Sequence, residues 1–203
     1  MKKEQFENYI QEKDIKHIIF DFDKTLCTLL VDWKPWCEEL DGIFSEFGLD
    51  FSESPDLNYS EKINLCIEKG GDAASERMNE MNFGIEKDFF YGYDLSPLAA
   101  PLLELSRKYA ELYLWTSNDR RTIQLILEEL GWAKFFAKIV TRNDVRYIKP
   151  RADGFSLIFD GSFPKSRYLL IGDSRADSGA AQAAGIDFLN ISELGNFLDD
   201  DGQ

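Results

Sequence analysis

Apolar and polar positions along the 203-residue chain follow two rhythms. Short, nearly continuous apolar runs read as strands buried on both faces. They lie at His17–Phe20, Leu112–Trp115, Lys138–Thr141 and Tyr168–Ile171, with a last short run at Asp187–Leu189. Between them apolar residues recur every three or four positions, the spacing of a helix with one buried face. Lys3–Gln11 groups Phe6, Tyr9 and Ile10. A helix capped at Ser96-Pro97 and running to Tyr109 groups Leu98, Leu102 and Leu105. Another groups Ile123, Ile126, Leu127 and Leu130 and closes at Gly131. Residues 152–159 predict a further helix, and an alanine-rich one ends at Ala184 before Gly185.

The alternation breaks once. From about residue 30 to 92 the pattern is helical and predicts no strand. Asp32-Trp33-Lys34-Pro35 opens a helix with proline in its first turn, and Trp36, Leu40, Ile43, Phe44 and Phe47 form its stripe up to Gly48. After a loop over 49–59, Ser60 is the expected cap of a helix to Lys69, stopped by Gly70-Gly71. Ala73–Asn82 follows, with Ala74, Met78 and Met81 inward. Strands alternating with helices imply a parallel sheet covered on both faces. The expected fold is therefore α/β, a Rossmann-like doubly wound parallel sheet with a small α-helical cap inserted. Residues 1–29 and 93–203 would form the core domain and 30–92 the cap. The acidic tail, Asp199–Gln203, is expected to fray.

Composition narrows the classes. Hydrophobic residues make up 44% and aromatics 14%, enough for a sizeable core. No apolar run is long enough to cross a bilayer, and the chain does not open on a signal-type segment. Three cysteines (Cys27, Cys37, Cys66) without metal-type spacing fit reduced thiols and a cytoplasmic location. The single histidine, His17, argues against a histidine metal site or a Ser-His triad. A net charge of −14 repels nucleic acid and anionic membranes, so neither is an expected partner. It also repels phosphorylated metabolites, so a site for them must supply its own positive charge.

Four groups of polar residues lie at strand ends or in the loops that follow. Asp21 and Asp23 come directly after the first strand. If the extended chain persists that far, both face one small volume, where their charges repel unless a cation or shared chemistry offsets them. Thr116, Ser117 and Asn118 follow the second strand, Lys149-Pro150 lies in the loop after the third, and Gly172-Asp173 with Asp177 follows the fourth. Each has a plain alternative. Asp23, Thr25, Thr116, Ser117, Asn118 and Asp173 are ordinary helix caps, Asp177 suits a first helical turn, and Lys-Pro is an ordinary surface turn. Those readings do not predict the order acid pair, hydroxyl, lysine, acid pair on strands whose C-terminal ends share one edge.

In that order and setting the chain resembles the haloacid dehalogenase superfamily of phosphohydrolases. Asp21, Asp23 and Thr25 match its D-x-D-x-T motif, Thr116 its strand-ending hydroxyl, Lys149 its lysine, and Gly172, Asp173 and Asp177 its G-D-x-x-x-D motif. Many members have glycine where Lys24 stands. The resemblance covers residues 15–30 and 95–192, and the 30–92 block sits where that family inserts a helical cap. It implies a Mg²⁺-dependent phosphatase acting on a small phosphorylated metabolite through an aspartyl-phosphate. Asp21 would be the nucleophile and Asp23 the acid and then the base. Thr116, Ser117, Asn118 and Lys149 would hold the phosphoryl group. The side chains of Asp21 and Asp173 and the main-chain carbonyl of Asp23 would bind Mg²⁺, with Asp177 orienting them. A phosphomutase keeps the same motifs and is the alternative, as is a non-catalytic binding protein on this scaffold. A dehalogenase would lack the acid at Asp23.

Overall fold

A computed structural model describes residues 1–198, apart from the side chains of Glu86 and Lys87. The tail expected to fray lies outside the described residues. The strands are β1 (His17–Phe20), β2 (Cys27–Val31), β3 (Phe90–Leu95), β4 (Glu111–Trp115), β5 (Phe136–Val140), β6 (Tyr168–Gly172) and β7 (Asp187–Asn190). The helices are α1 (Lys3–Glu12), α2 (Trp33–Glu46), α3 (Tyr59–Phe89), α4 (Ala99–Ser106), α5 (Arg120–Glu129), α6 (Asp153–Ile158) and α7 (Arg175–Ala184).

The parallel sheet runs β5-β4-β1-β6-β7. β1 pairs in parallel with β4 on one side and β6 on the other, and Phe20 is level with both Leu114 and Ile171. Three strands therefore end within a residue or two of each other, which places the loops after them on one edge. The direction of winding reverses at β1, the point where doubly wound sheets hold ligands.

Alternate residues along each strand feed opposite cores, as the two-residue period requires. Ile18, Phe20, Leu112, Leu114, Leu169 and Ile171 pack with Phe6, Leu102 and Ile123 of α1, α4 and α5. Ile19, Tyr113, Trp115 and Leu170 pack with Phe155, Ala180 and Ala181 of α6 and α7. Ile18 and Ile19 are fully buried, so each contributes about 1.5–3 kcal/mol of burial on its own face. Gly154 lets α6 close on the sheet, since a Cβ there would lie 2.1 Å from the Trp115 indole nitrogen.

The 30–92 region departs from expectation at both ends. β2 and β3 form an antiparallel ribbon outside the main sheet, and the expected boundaries at 29/30 and 92/93 fall inside these strands. Both were missed because they lack a readable alternation. Leu30 faces outward in β2, and β3 has no fully buried residue. Between them α2 and α3 enclose a third apolar core of Leu40, Ile43, Phe44, Ile63, Ile67, Met78 and Met81, joined by Ile148 from the β5–β6 loop.

Asp32 caps α2 through its side chain, and Asn58, not Ser60, caps α3 in a reciprocal box with Glu61. The Gly70-Gly71 stop is present as a break within α3, where Gly71 takes φ +65°, ψ −140°. Leu98 occupies the cap position of α4 without a side-chain bond, where Ser96 was expected. None of the described helices is long and apolar enough to cross a membrane.

Candidate active site

β1 ends at Phe20, and the Asp21 N–H still donates to Ile171 O of β6 at 2.9 Å, which fixes that residue to the sheet edge. The chain then turns. Leu26 and Cys27 donate their N–H groups to Phe22 O, and Lys24 takes φ +61°, the left-handed region where glycine is at ease. The turn brings Asp23 round so that its Oδ1 accepts the Leu29 N–H at 2.8 Å. Extended geometry does not persist to Asp23, yet Asp21 and Asp23 both line one cleft of about 200 Å³.

Lys149 is the electrostatic centre. It is 2% exposed, and its Nζ donates to Asp21 Oδ1 at 2.5 Å, to Trp115 O at 3.0 Å and to Asp177 Oδ1. The peptide bond to Pro150 is cis. Asp177 lies in the first turn of α7. Its Oδ2 accepts both the Ser174 N–H at 3.0 Å and the Ser174 hydroxyl at 2.5 Å. Gly172 makes room for it, because a Cβ there would sit 2.5 Å from Asp177 Cγ. One carboxylate oxygen from each of Asp21, Asp173 and Asp177 lies within 4.8 Å of the other two.

The second group behaves differently. Thr116 is buried at the end of β4, with its hydroxyl donating to Asn118 Oδ1 at 2.6 Å and accepting the Asn118 N–H at 3.2 Å. It stands behind the wall, whereas Ser117 and Asn118 line the cleft. Asp119 caps α5 in their place.

Burial sets the proton affinities. It pushes the Asp21 carboxyl up to about 7, against the pull of the Lys149 ammonium. Burial also raises Asp23, and it raises Asp173, where the charge of Asp177 adds to the effect. For Asp177 burial acts in the same direction, but Lys149 and the Ser174 hydrogen bonds outweigh it and hold this carboxyl below the ordinary range. For Lys149 burial favours the neutral amine, and the two carboxylates overcome it, so the ammonium is held above its ordinary value.

Sequence reasoning missed Arg142. It is buried after the end of β5, its Nε donates to Ser117 O at 2.6 Å, and it lines the cleft. The available signal was its place just beyond a strand end, inside the Thr141…Asp144 capping box. Also unassigned were Trp33 and Trp36 from α2 and Ser60 and Ile63 from α3, which form the opposite wall.

The haloacid dehalogenase-like hydrolase family model matches residues 95–191, the stretch that supplies Thr116, Lys149, Asp173 and Asp177. The structure joins that stretch to Asp21 through Lys149. Over that stretch, just under half of its length, the chain is similar to the haloacid dehalogenase-like hydrolases. The pyrophosphatase PpaX of Oceanobacillus iheyensis is 26% identical over 179 residues, covering 85% of this chain and 81% of that protein. The phosphoglycolate phosphatase of Escherichia coli is 36% identical over 90 residues. That match covers 43% of this chain and 35% of that enzyme. A haloacid dehalogenase-like hydrolase from Bacteroides fragilis shares the fold at a TM-score of 0.60 and 22% identity, over 86% of each chain.

Proposed function

We propose that this chain is a Mg²⁺-dependent phosphatase that hydrolyses a small phosphorylated metabolite through an aspartyl-phosphate on Asp21. The observation that carries this reading is the bond from the Lys149 ammonium to Asp21, within the cluster of Asp21, Asp173 and Asp177. A carboxylate buried beside a fixed cation, at the sheet edge where ligands sit, can act as the nucleophile that splits phosphoryl transfer into two steps. The similarity to curated phosphatases supports the same reaction class.

Asp21 attacks phosphorus, the P–O bond to the leaving alcohol breaks, and the alcohol oxygen takes a proton from Asp23. Asp23 then removes a proton from the water that attacks the aspartyl-phosphate, which frees phosphate and restores Asp21. A single group serves both steps when its proton affinity lies near working pH, and burial moves Asp23 in that direction. Lys149 places a compact positive charge at the nucleophile and answers the repulsion of an acidic protein for an anionic substrate. Ser117 and Asn118 line the cleft where the phosphoryl oxygens would lie, with Arg142 beside them. Thr116 acts from behind by orienting Asn118.

The donor set fits Mg²⁺, since it offers only oxygens and three carboxylates converge. Asp21, Asp173 and the Asp23 carbonyl would hold the ion. Asp177 already spends Oδ1 on Lys149 and Oδ2 on Ser174, which suits it to orienting the others. When bound, the ion supplies charge neutralisation between carboxylate and phosphate. The helical block over 30–92, with Trp33, Trp36, Ser60 and Ile63 on the cleft, acts as the cap that excludes water and favours small substrates.

A phosphate-release screen over phosphorylated metabolites and an aryl phosphate tests the proposal. Hydrolysis is expected with Mg²⁺, with loss of activity in chelator and in Asp21→Asn. A wild type inactive on the whole panel, or a fully active Asp21→Asn, would overturn it.

A further inference from the structure

The β5–β6 loop that carries Lys149 is gripped by one face of α3. Asn64 and Glu68 are four residues apart, so they line one side of the helix before the Gly71 break, and Asp72 directly follows that break. Each meets the lysine loop. Glu68 pairs with Arg151, and Asp72 accepts from Arg146 at 3.0 Å. Both are exposed ion pairs and contribute little on their own.

Asn64 is different. It is 2% exposed, and its amide makes a two-bond pair with the main chain of Ile148. Nδ2 donates to Ile148 O at 2.8 Å, and the Ile148 N–H donates to Oδ1 at 3.0 Å. The next residue is Lys149. A planar amide that holds both the N–H and the C=O of one residue fixes the backbone from which the next side chain departs. The Ile148 side chain is buried in the core between α2 and α3, which seats the same residue a second way.

We propose that Asn64 is a positioning residue for Lys149, so that seating α3 on the core aims the ammonium at Asp21 and Asp177. The inference rests on the proposed role of Lys149 at Asp21. It gives the inserted helices a part in the chemistry beyond walling the cleft: α3 in place means Lys149 in place.

The test compares wild type, Asn64→Leu and Asn64→Asp on an aryl phosphate with Mg²⁺, well below each variant's melting temperature. Both Asn64 variants are repeated in a Lys149→Arg background. Asn64→Leu removes both bonds. Asn64→Asp keeps the size and the acceptor for the Ile148 N–H, and it carries the test if the leucine variant does not fold. The expected result is a fall in kcat of about ten- to a hundredfold per folded molecule, with KM within about twofold. That loss should vanish in the Lys149→Arg background, where the aim of the lysine is already gone. Amide exchange at Ile148 should quicken in Asn64→Leu.

Wild-type kcat in the folded variants overturns the inference and leaves the phosphatase reading standing. So does a loss that adds in full to that of Lys149→Arg. A wild type without activity on any phosphate ester removes both.

Discussion

Lys24 holds φ +61°, a conformation in which the Cβ of an L-residue crowds the following carbonyl. Its N–H still reaches Cys27 O at 2.5 Å, so the turn forms in spite of the residue type. Glycine removes the crowding, and Lys24→Gly is expected to gain about 1 kcal/mol and raise the melting temperature by about 2–4 °C. A thermal melt that falls instead would mean that the lysine side chain contributes more than its backbone costs. Asp21 carries the opposite kind of strain, because burial holds its carboxyl up near 7, against about 3.8 in the unfolded chain. The metal-free fold then keeps a proton that the unfolded chain releases, so this residue's contribution to stability falls as pH rises from about 4 to 7. Asp21→Asn has no such proton. Its stability relative to wild type should therefore be more favourable at pH 8 than at pH 5, read by urea unfolding in chelator. An equal difference at both pH values would show that the buried carboxyl carries no such cost. The motif glycine obeys packing rather than backbone freedom: Gly172→Ala would drive a methyl into Asp177 and displace the acid that holds Lys149.

At the level of elements, α3 contains glycines with opposite roles. Gly71 breaks the helix at φ +65°, ψ −140°. Its nearest neighbour to a built Cβ is 3.9 Å away, so the need there is conformational and not steric. Gly84 sits in continuous helix with nothing within 4 Å. Gly71→Ala is expected to cost about 1 kcal/mol or more, and Gly84→Ala to gain about 0.5–1 kcal/mol, both measured by denaturant melts. The Gly70-Gly71 pair was readable from the sequence because two adjacent breakers interrupt a clear stripe. The strands of the parallel sheet were readable because burial on both faces makes them apolar throughout. β2 and β3 were not, since a half-exposed ribbon needs little hydrophobic contrast. Caps were read less well than cores. Asn58 and Asp119 took the positions offered to Ser60 and to Thr116, Ser117 and Asn118, because neighbouring polar residues all satisfy the same N–H groups and only the helix entry angle selects among them.

Over the whole molecule, sheet register converts motifs far apart in sequence into one site. Phe20, Leu114 and Ile171 are level, so Asp21, Thr116 and Asp173 leave the sheet together, and Lys149 reaches across 128 residues to Asp21. The order and setting of the motifs made this core half legible. The wall facing it was not, because Trp33, Trp36, Ser60 and Ile63 sit in stripes that also serve a helical core, and spacing does not say which end of a stripe meets the cleft. Met78 and Met81 went to that core, while Trp33 and Trp36 stayed half-buried at its margin. On the proposed function, chemistry would fall to the strand ends and substrate choice to the helices that wall the cleft. Trp33 packs edge-on against Trp36, with ring centroids 5.5 Å apart, and Trp36 is itself anchored by Nε1 to Asn82 at 2.7 Å. Trp33 is therefore the member of the pair that can be removed with less damage to the helices. In Trp33→Ala, kcat/KM for a bulky aryl phosphate should fall about tenfold, while that for acetyl phosphate, too small to touch the wall, stays within about twofold. The loss should appear mainly in KM if the contact is the same in ground and transition states. Equal losses on the two substrates, or a fall that follows melting temperature, would return Trp33 to a packing role and leave specificity to Arg142 and the strand-end residues.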